Sequence, residues 1–321
     1  MKQNKRILAF VEAIWQWYAR QKRSLPWRDL TIDDDTERAY HILVSEVMLQ
    51  QTQVERVVII YERFLKQFPR LHDLAAVSNR EVILAWRGMG YNSRVLRLRD
   101  AARTIVEQHG SVFPLSMEEL QSIKGLGHYT AAAIRNFAFN LPTPCIDTNI
   151  RRILHRAFVG PESSDGTWKR DDKYLLKVAE EVLQVAMDGY QDHDARNWHA
   201  ALMDFGSLVQ TKRSPQWDTC PLSKKSLMKA TPRNFPKTEL RAPNAEPGRV
   251  IAGRFVANRI TRGKIIEVLR DATDGLFVSS IGRKTCSDWS PAHRGWLSEI
   301  LRQLEQEKLA ARKGATYVLH E

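Results

Sequence analysis

The amino-acid sequence predicts an all-α N-terminal part made of two helical subdomains, followed by a small α+β domain of the winged-helix type. Apolar residues recur at helical spacing through most of residues 1–230, as expected for amphipathic helices. Residues 231–249 are rich in proline and lose this periodicity, which predicts a linker. Residues 250–321 then change to a helix, a strand, a helix and a hairpin around Gly314, which predicts the winged helix.

The length, charge and cysteine content indicate how many domains, which partner and which location to expect. The 321 residues suffice for two or three domains. A net charge of +12 and a pI near 9.7 favour a polyanionic partner, and nucleic acid is the first candidate. The three cysteines lie far apart and predict no disulfide framework. The N-terminal apolar run is amphipathic, unlike a signal peptide, and no stretch is long enough to span a membrane, so we expect a cytoplasmic protein.

Helical periodicity assigns the elements in order. The first helix covers residues 7–18, and the segment Leu-Pro-Trp-Arg follows at 25–28. A broad apolar face predicts a second helix at 37–53, which contains the segment Ser-Glu-Val-Met-Leu-Gln-Gln-Thr-Gln. Further helices are predicted at 57–68, 79–86, 94–109, 117–123, 150–158, 174–187 and 197–209. In the C-terminal part we expect helices at 261–272 and 291–307, a strand at 276–281, and a hairpin pairing 310–313 with 316–319.

A Gly-x-Gly turn joins two helices at the centre of the chain. Gly125 and Gly127 flank Leu126, and glycine allows a sharp bend and a close approach of the backbone. The N–H groups that open the next helix could bind a nucleic-acid phosphate, although the same turn also serves as a plain connector. A proline loop at 142–144 then brings Asp147 to the start of another helix. There Asp147 is either an N-cap or a catalytic acid.

Six segments in this order resemble the MutY-type adenine DNA glycosylases of the helix-hairpin-helix base-excision superfamily, over roughly residues 5–228. The segments are LPWR, SEVMLQQTQ, WRGMGYNSRVLRL, IKGLGHYTAAAI, IDTNIRRILHR and ALMDFGSLVQ. The resemblance implies a helix-hairpin-helix glycosylase fold for this part. It implies a catalytic group of Glu46, Asp147, Tyr129 and Asn149. It implies a base pocket of Trp27, Arg28, Leu49 and Asp204.

The resemblance also implies where DNA binds. The implied contact residues are Gln50, Gln51, Tyr91, Gly125, Leu126, Gly127, His128 and Thr130. The positions of Gln51 and Tyr91 match those that wedge into the base stack in the family, which lowers the cost of unstacking a base. A tyrosine in a loop equally suits an ordinary core contact. A monovalent cation at the hairpin is a further candidate ligand.

The predicted chemistry needs two carboxyl groups, because cleavage of an N-glycosidic bond leaves positive charge on the sugar and negative charge on the base. Glu46 would protonate the departing base and later activate water. Asp147 would stay ionised and stabilise the sugar cation, or bond to it transiently. Asn149 would hydrogen-bond within the site, and the Tyr129 hydroxyl would orient Asp147. Since Tyr129 occupies the place of the lysine of glycosylase–lyases, we expect no lyase activity.

The sequence departs from the family at its iron–sulfur cluster. The four ligand positions hold Gln210, Trp217, Cys220 and Ser226. One thiolate cannot hold a cluster that needs four, so we expect no cluster and no other cofactor. We expect packing to hold the loop instead, with Trp217 buried. Its basic residues either contact a DNA phosphate or form a solvated loop.

The sequence therefore predicts a monomeric, monofunctional mismatch DNA glycosylase that flips adenine out of duplex DNA opposite 8-oxoguanine or guanine. A thymine or uracil mismatch glycosylase is the alternative, because such relatives share the hairpin tyrosine and a Met-Asp-Phe-like segment. A silent DNA-damage-binding protein is the third, although the presence of both Glu46 and Asp147 argues against it. The C-terminal segment is shorter and more helical than the family's domain that reads 8-oxoguanine, which leaves the opposite-base preference open.

Overall fold

The computed structural model describes residues 2–188, 194–236 and 246–321, and within them the chain is mostly helical. The N-terminal part contains α1 (Lys2–Gln21), α2 (Asp35–Leu49), α3 (Val54–Gln67), α4 (Leu71–Ala76), α5 (Asn79–Ala85), α6 (Ser93–Gln108), α7 (Met117–Ser122), α8 (His128–Phe137), α9 (Thr148–Leu154), α10 (Asp172–Met187), α11 (Ala195–Leu208) and α12 (Pro221–Lys224). A π-helical turn, His155–Val159, continues α9. None of the described helices is long and apolar enough to cross a membrane.

The C-terminal part adds short antiparallel strands to helices, which confirms the predicted fold class. Its elements are β1 (Gly248–Ile251), β2 (Arg254–Ala257), α13 (Asn258–Arg270), β3 (Leu276–Phe277), α14 (Val278–Thr285), α15 (Arg294–Gln306), β4 (Ala310–Lys313) and β5 (Thr316–Leu319). Strands β3, β5 and β4 form one sheet in that order. The β4–β5 hairpin pairs Ala310 with Leu319 and Lys313 with Thr316, in the predicted register.

The chain divides into two compact units. The first unit contains Met1–Ile42, Pro114–Ser122 and Leu126–Ala242, and the second contains Leu43–Phe113, Ile123–Gly125 and Pro243–Glu321. The C-terminal segment thus packs in the same unit as α3 to α6. Residues 237–245 of the predicted linker lie outside the described residues. The domain boundaries at 230 and 250 stay a prediction.

The core of the first unit forms around α1, whose apolar face packs on α10, α11 and α12. Trp15 of α1 contacts Trp198 of α11, with ring centroids 5.3 Å apart. Burial of each such large side chain contributes roughly 2–3 kcal/mol to folding. Arg6 adds polar contacts, because its guanidinium donates to the carbonyl oxygens of Ala157 at 2.9 Å and Leu227 at 2.7 Å. The N-terminal helix thereby holds two later segments in place.

The second unit combines two apolar clusters. In its first part α6 packs on α4 and α5, and Phe64 of α3 contacts the fully buried Trp86 at 5.8 Å. In its C-terminal part α13, α14 and α15 pack on one another through buried residues such as Ile265, Ile281 and Leu301. Helical spacing places these residues on single faces, which is the reason the three helices enclose a core.

Several elements differ from the predictions, including the short helices α4 and α12, which were not predicted. The predicted strand at 276–281 covers only Leu276–Phe277, because α14 begins at Val278. The β1–β2 hairpin, which was not predicted, turns through Ala252 and Gly253 with φ angles of 47° and 77°, as tight hairpins require. Helix α2 ends at Leu49 rather than at residue 53, since Gln51 has a left-handed φ of 55°.

Candidate active site and nucleic-acid interface

Asp147 lies immediately before α9 and caps it. Its Oδ1 accepts a hydrogen bond from the Ile150 amide at 2.6 Å, and its Oδ2 accepts one from Asn149 Nδ2 at 3.0 Å. Burial raises the pKa of Asp147, whereas these hydrogen bonds and the charge of Arg152 oppose the rise. The N-cap interpretation is therefore confirmed. It is compatible with a catalytic role, because both contacts fix the orientation of the carboxylate.

Asn149 is held on its other side by a buried arginine. Its Oδ1 accepts from Arg152 Nη2 at 2.5 Å, so the amide nitrogen is the group left to face Asp147. Arg152 also donates to the carbonyl oxygens of Gly206 at 2.9 Å and Gln210 at 2.5 Å. These contacts bring together Asp147 and Asn149 as the sequence predicts. They also connect Asp147 with α11, which the sequence analysis did not foresee.

Gly206 permits the close approach of α11 to α9. A Cβ atom at this position would lie 2.6 Å from the Asn149 Cβ and 3.1 Å from its Cα, much closer than real Cβ contacts. No side chain other than hydrogen fits there without displacing α9. The glycine is part of the segment ALMDFGSLVQ, but a sequence motif does not reveal which neighbour a helical glycine faces.

Asp204 and Arg28 of the predicted base pocket form a buried ion pair. The Asp204 side chain is fully buried, and its Oδ2 accepts from Arg28 Nη1 at 2.7 Å. Its Oδ1 accepts from Arg23 Nε at 2.7 Å. Trp27 is also buried, at 4% exposure. Both Asp204 oxygens are thus engaged by arginines, and the direct contact of Asp204 with an excised base stays a prediction.

The hairpin presents its turn to solvent. Between α7 and α8, Ile123 and Leu126 are buried, while Gly125 and Gly127 are exposed. Gly125 has a φ of 102°, a conformation that favours glycine. Gly127 is the N-cap of α8, and no described side chain caps the first turn. The turn is therefore exposed at the positive end of a helix dipole, as an anion site requires.

Tyr129 and Thr130 follow in the first turn of α8. Tyr129 is half-buried and Thr130 is buried. The two described side-chain contacts of Asp147 come from Ile150 and Asn149. The orienting role of the Tyr129 hydroxyl stays a prediction.

Glu46 belongs to α2 and to the second unit, whereas Asp147 belongs to the first. Glu46 is 6% exposed, within an apolar face that includes Val47 and Met48. A glutamate beside the apolar face of a helix commonly lies at its solvated edge, but burial removes Glu46 from bulk water. Its pairing with Asp147 in catalysis stays a prediction.

Gln51 and Tyr91 lie in two loops that we call the wedge loops, residues 50–53 and 88–92. Both residues have positive φ, 55° and 43°, and Tyr91 is 46% exposed. This exposure contradicts the alternative in which Tyr91 is a core contact. Gln50 is also exposed, and Leu49 is half-buried.

A single buried arginine, Arg94, connects the two wedge loops. Its guanidinium donates to the Gln50 carbonyl oxygen in the first loop and to the Met89 carbonyl oxygen, at 3.1 Å, in the second. It also donates to the carbonyl oxygens of Val47 at 3.0 Å and Met48 at 3.1 Å, near the end of α2. It also lies 5.6 Å from the centroid of the Tyr91 ring. Burial lowers its pKa to about 10, so the charge persists at neutral pH. The sequence analysis missed Arg94, whose partners come from separate elements.

The loop at the four cluster positions is held by polar contacts. Gln210 is fully buried and donates from Nε2 to Cys220 Sγ at 3.4 Å. The buried Arg156 donates to Gln210 Oε1 at 3.2 Å, and it pairs with Glu162 at 2.7 Å. Trp217 is half-buried against Phe235, with ring centroids 5.5 Å apart, so the prediction of a buried Trp217 is wrong. The Trp217 indole is partly exposed, whereas the side chains of Arg156 and Gln210 are fully buried.

This donor set does not fit a four-cysteine iron–sulfur cluster. Cys220 is the one thiol among the four positions, and Ser226 is exposed. In the part of the chain that the structure describes, no three histidine, cysteine, aspartate or glutamate side chains lie together as a metal site.

The sequence is similar to a family of DNA repair proteins and to several characterised relatives. Residues 44–181 match the profile of the HhH-GPD superfamily of base excision DNA repair proteins. The adenine DNA glycosylase of Mus musculus is 38% identical over 219 residues, which cover 67% of this chain and 41% of the relative. That of Mycolicibacterium smegmatis is 35% identical over 257 residues, covering 80% and 79%. The chain thus spans about two fifths of the mouse protein.

Two solved structures share the fold. A thermostable thymine-DNA glycosylase superposes with a TM-score of 0.60 at 25% identity, covering 71% of this chain and 97% of that one. A trapped endonuclease III–DNA covalent intermediate superposes with a TM-score of 0.53 at 20% identity, covering 71% and 96%.

Proposed function

The chain belongs to the adenine DNA glycosylase family of the helix-hairpin-helix base excision repair superfamily, and from this premise we propose that it removes adenine mispaired with 8-oxoguanine or guanine. The observation that carries the proposal is the 35% identity that extends over 79% of the mycobacterial relative. The arrangement of Asp147 and Asn149 supports it, since a carboxylate fixed by two hydrogen bonds suits the stabilisation of a sugar cation.

In the proposed reaction Glu46 transfers protons, and the ionised Asp147 stabilises positive charge on the sugar. Glu46 is buried, which keeps its carboxyl group away from bulk water. It protonates a ring nitrogen of adenine, and the glycosidic bond breaks with its electrons leaving on the base. Asp147 stabilises the resulting sugar cation, and Glu46 then accepts a proton from the attacking water. Tyr129 has no amine, so no Schiff base forms and the strand stays intact until alkali cleaves it.

Double-stranded DNA is the proposed partner of a monomeric enzyme. The amides at the start of α8, with the glycine turn before them, bind a backbone phosphate. Gln51 and Tyr91 enter the duplex where the target base leaves it. The outward-facing turn of the hairpin and the exposure of Tyr91 support both roles.

We propose further that the enzyme folds and acts without an iron–sulfur cluster. The contacts of Arg156 with Gln210 and of Gln210 with Cys220 support this, because they join buried side chains at two of the four ligand positions. Purified protein should be colourless and free of stoichiometric iron by elemental analysis. Four irons per chain would overturn this proposal.

The test of the substrate uses duplexes that contain adenine, thymine or uracil, each opposite guanine or 8-oxoguanine. Each duplex is incubated with the enzyme, and half of each sample is then treated with alkali. We expect breaks at adenine alone, and only after alkali. The similarity to a thymine-DNA glycosylase makes thymine release the alternative outcome. Release of thymine or uracil with adenine untouched would favour that alternative, and binding without release of any base would favour a silent damage-binding protein.

A further inference from the structure

A cavity of about 660 Å³ lies in the second unit, between the wedge loops and the C-terminal segment. Gln51 and Tyr91 line one side. The opposite side is the first half of α13, including Arg259 and Lys264, and Arg56 of α3 also lines the cavity. Four cationic residues, Arg56, Arg259, Arg262 and Lys264, and one acidic residue, Glu267, thus line the same space as the two wedge residues.

The cations of this cavity are available to a ligand. Arg259 pairs with Glu246 at 3.0 Å, but both side chains are about half exposed, at 54% and 47%. An exposed pair of this kind is weak because solvent screens both charges, so a phosphate can replace the glutamate. The hydrogen bond to Glu246 contributes most to raising the pKa of Arg259, and Tyr91 adds to the rise. Arg259 therefore lies beside the wedge tyrosine. Arg56 and Lys264 are exposed as well.

The cavity is fixed before any ligand binds, because α13 is attached to the wedge loop at 88–92. The buried Arg270 of α13 donates to the Ile83 carbonyl oxygen at 3.0 Å and to Asn92 Oδ1 at 2.9 Å. Asn92 is the residue after Tyr91. Arg87 pairs in addition with Asp271 at 2.5 Å. A change in the position of α13 would therefore move the wedge loop with it.

From this arrangement we infer that the cavity binds the unflipped strand of duplex DNA, at the nucleotide that faces the extruded base, with its phosphates against Arg56, Arg259 and Lys264. The inference rests on the proposed function, because it requires Gln51 and Tyr91 to enter the base stack. A side chain that fills the gap left by an extruded base contacts the base that remains opposite. The surface next to it faces that strand, whose backbone carries one negative charge per nucleotide.

The experiment measures binding of the full chain to a duplex that carries a non-cleavable adenine analogue opposite 8-oxoguanine, at several salt concentrations. The variants are Arg259→Gln and Lys264→Gln, both at exposed positions where glutamine preserves the fold. Arg294→Gln is the matched control, since Arg294 is an exposed cation of the same C-terminal segment and does not line the cavity. We expect each cavity variant to weaken binding about tenfold and to reduce the salt slope by about one, with the control near wild type.

A second measurement identifies the strand. Uncharged methylphosphonate linkages replace single phosphates around the mispair, first in the unflipped strand and then in the adenine strand. We expect the penalty of Arg259→Gln to disappear when the contacted phosphate of the unflipped strand is neutral, and to persist with every neutral linkage in the adenine strand. Coupling to the adenine strand instead would overturn the inference.

Equal losses in Arg294→Gln and the cavity variants would also overturn it, because the effect would then come from the general positive field of the protein. The inference would fail as well if both cavity variants bound the duplex as tightly as the wild-type protein. Adenine release by the wild-type enzyme is measured in parallel. If release is normal while the cavity variants bind normally, the inference alone fails. If the wild-type enzyme releases no base, the proposed function fails independently.

Discussion

The aspartate site, formed by Asp147 and Asn149, and the wedge loops are held in place by different kinds of contact. Asp147 takes its two hydrogen bonds from residues two and three positions further along the chain, Asn149 and Ile150. The wedge loops instead depend on Arg94 of α6 and Arg270 of α13, and the second of these lies 178 positions from its partner Asn92. Local contacts form wherever the chain has the right short motif. Distant contacts need the whole unit to fold first, so their loss should impair base extrusion while the chemistry of the aspartate remains intact.

The largest effect is expected at the locally fixed site. Asp147→Asn keeps a good N-cap residue but removes the negative charge, so base release should fall by about 10²-fold or more. Single-turnover assays measure the release, and fluorescence anisotropy measures the binding, which should stay near the wild-type value. Comparable turnover in the variant would leave Asp147 with the N-cap role alone.

Gly206→Ala tests whether the aspartate site also needs a distant support. The added methyl group would overlap Asn149 and push α9 away from α11. A displacement of about 1 Å at a reacting group costs up to roughly 10²-fold in rate, so we expect a loss of about 10–100-fold. Gly295→Ala is the control, because a Cβ there meets no atom within 4 Å. Equal activity of the two variants would show that α9 adjusts freely.

Arg94→Lys tests the wedge loops. Lysine keeps the charge but cannot reproduce the guanidinium's contacts with Val47, Met48 and Met89, which leaves buried carbonyl oxygens without a donor. We expect a loss of about 2–4 kcal/mol in the free energy of unfolding and roughly tenfold slower base release. A 2-aminopurine reporter beside the mispair should show reduced extrusion. Normal extrusion at full occupancy would contradict the role assigned to Arg94.

The smallest effect is expected at Trp217. Since the indole is half-buried against Phe235, Trp217→Ala should cost only about 1–2 kcal/mol in stability and leave base release unchanged. Urea denaturation measures the first quantity and the glycosylase assay the second. A loss above about 4 kcal/mol would mean that Trp217, and not Arg156 with Gln210, holds the loop.

The difference between local and distant contacts also explains which features could be predicted from the sequence. The structure contains the features that depend on periodicity or on neighbours a few residues apart. These are most of the helices, the β4–β5 hairpin and the Asp147–Asn149 contact. Arg94, Arg152 and Gly206 escaped prediction because their partners lie on other elements, and one sequence does not identify tertiary neighbours. The strand at 276–281 failed for a related reason. Val278 and Ile281 favour strands locally, but packing on α13 and α15 makes the segment helical.

The composition of the second unit has a consequence for synthesis of the protein. Residues 43–113 leave the ribosome long before residues 243–321, with which they form one compact unit. At ordinary elongation rates, the last of these segments alone takes on the order of 10 s to make. During that time the surfaces of Ile83 and Asn92 that Arg270 covers in the finished protein remain uncovered. Completion of this unit therefore waits until residues 243–321 have been made, and the nascent chain is open to aggregation or chaperone binding until then.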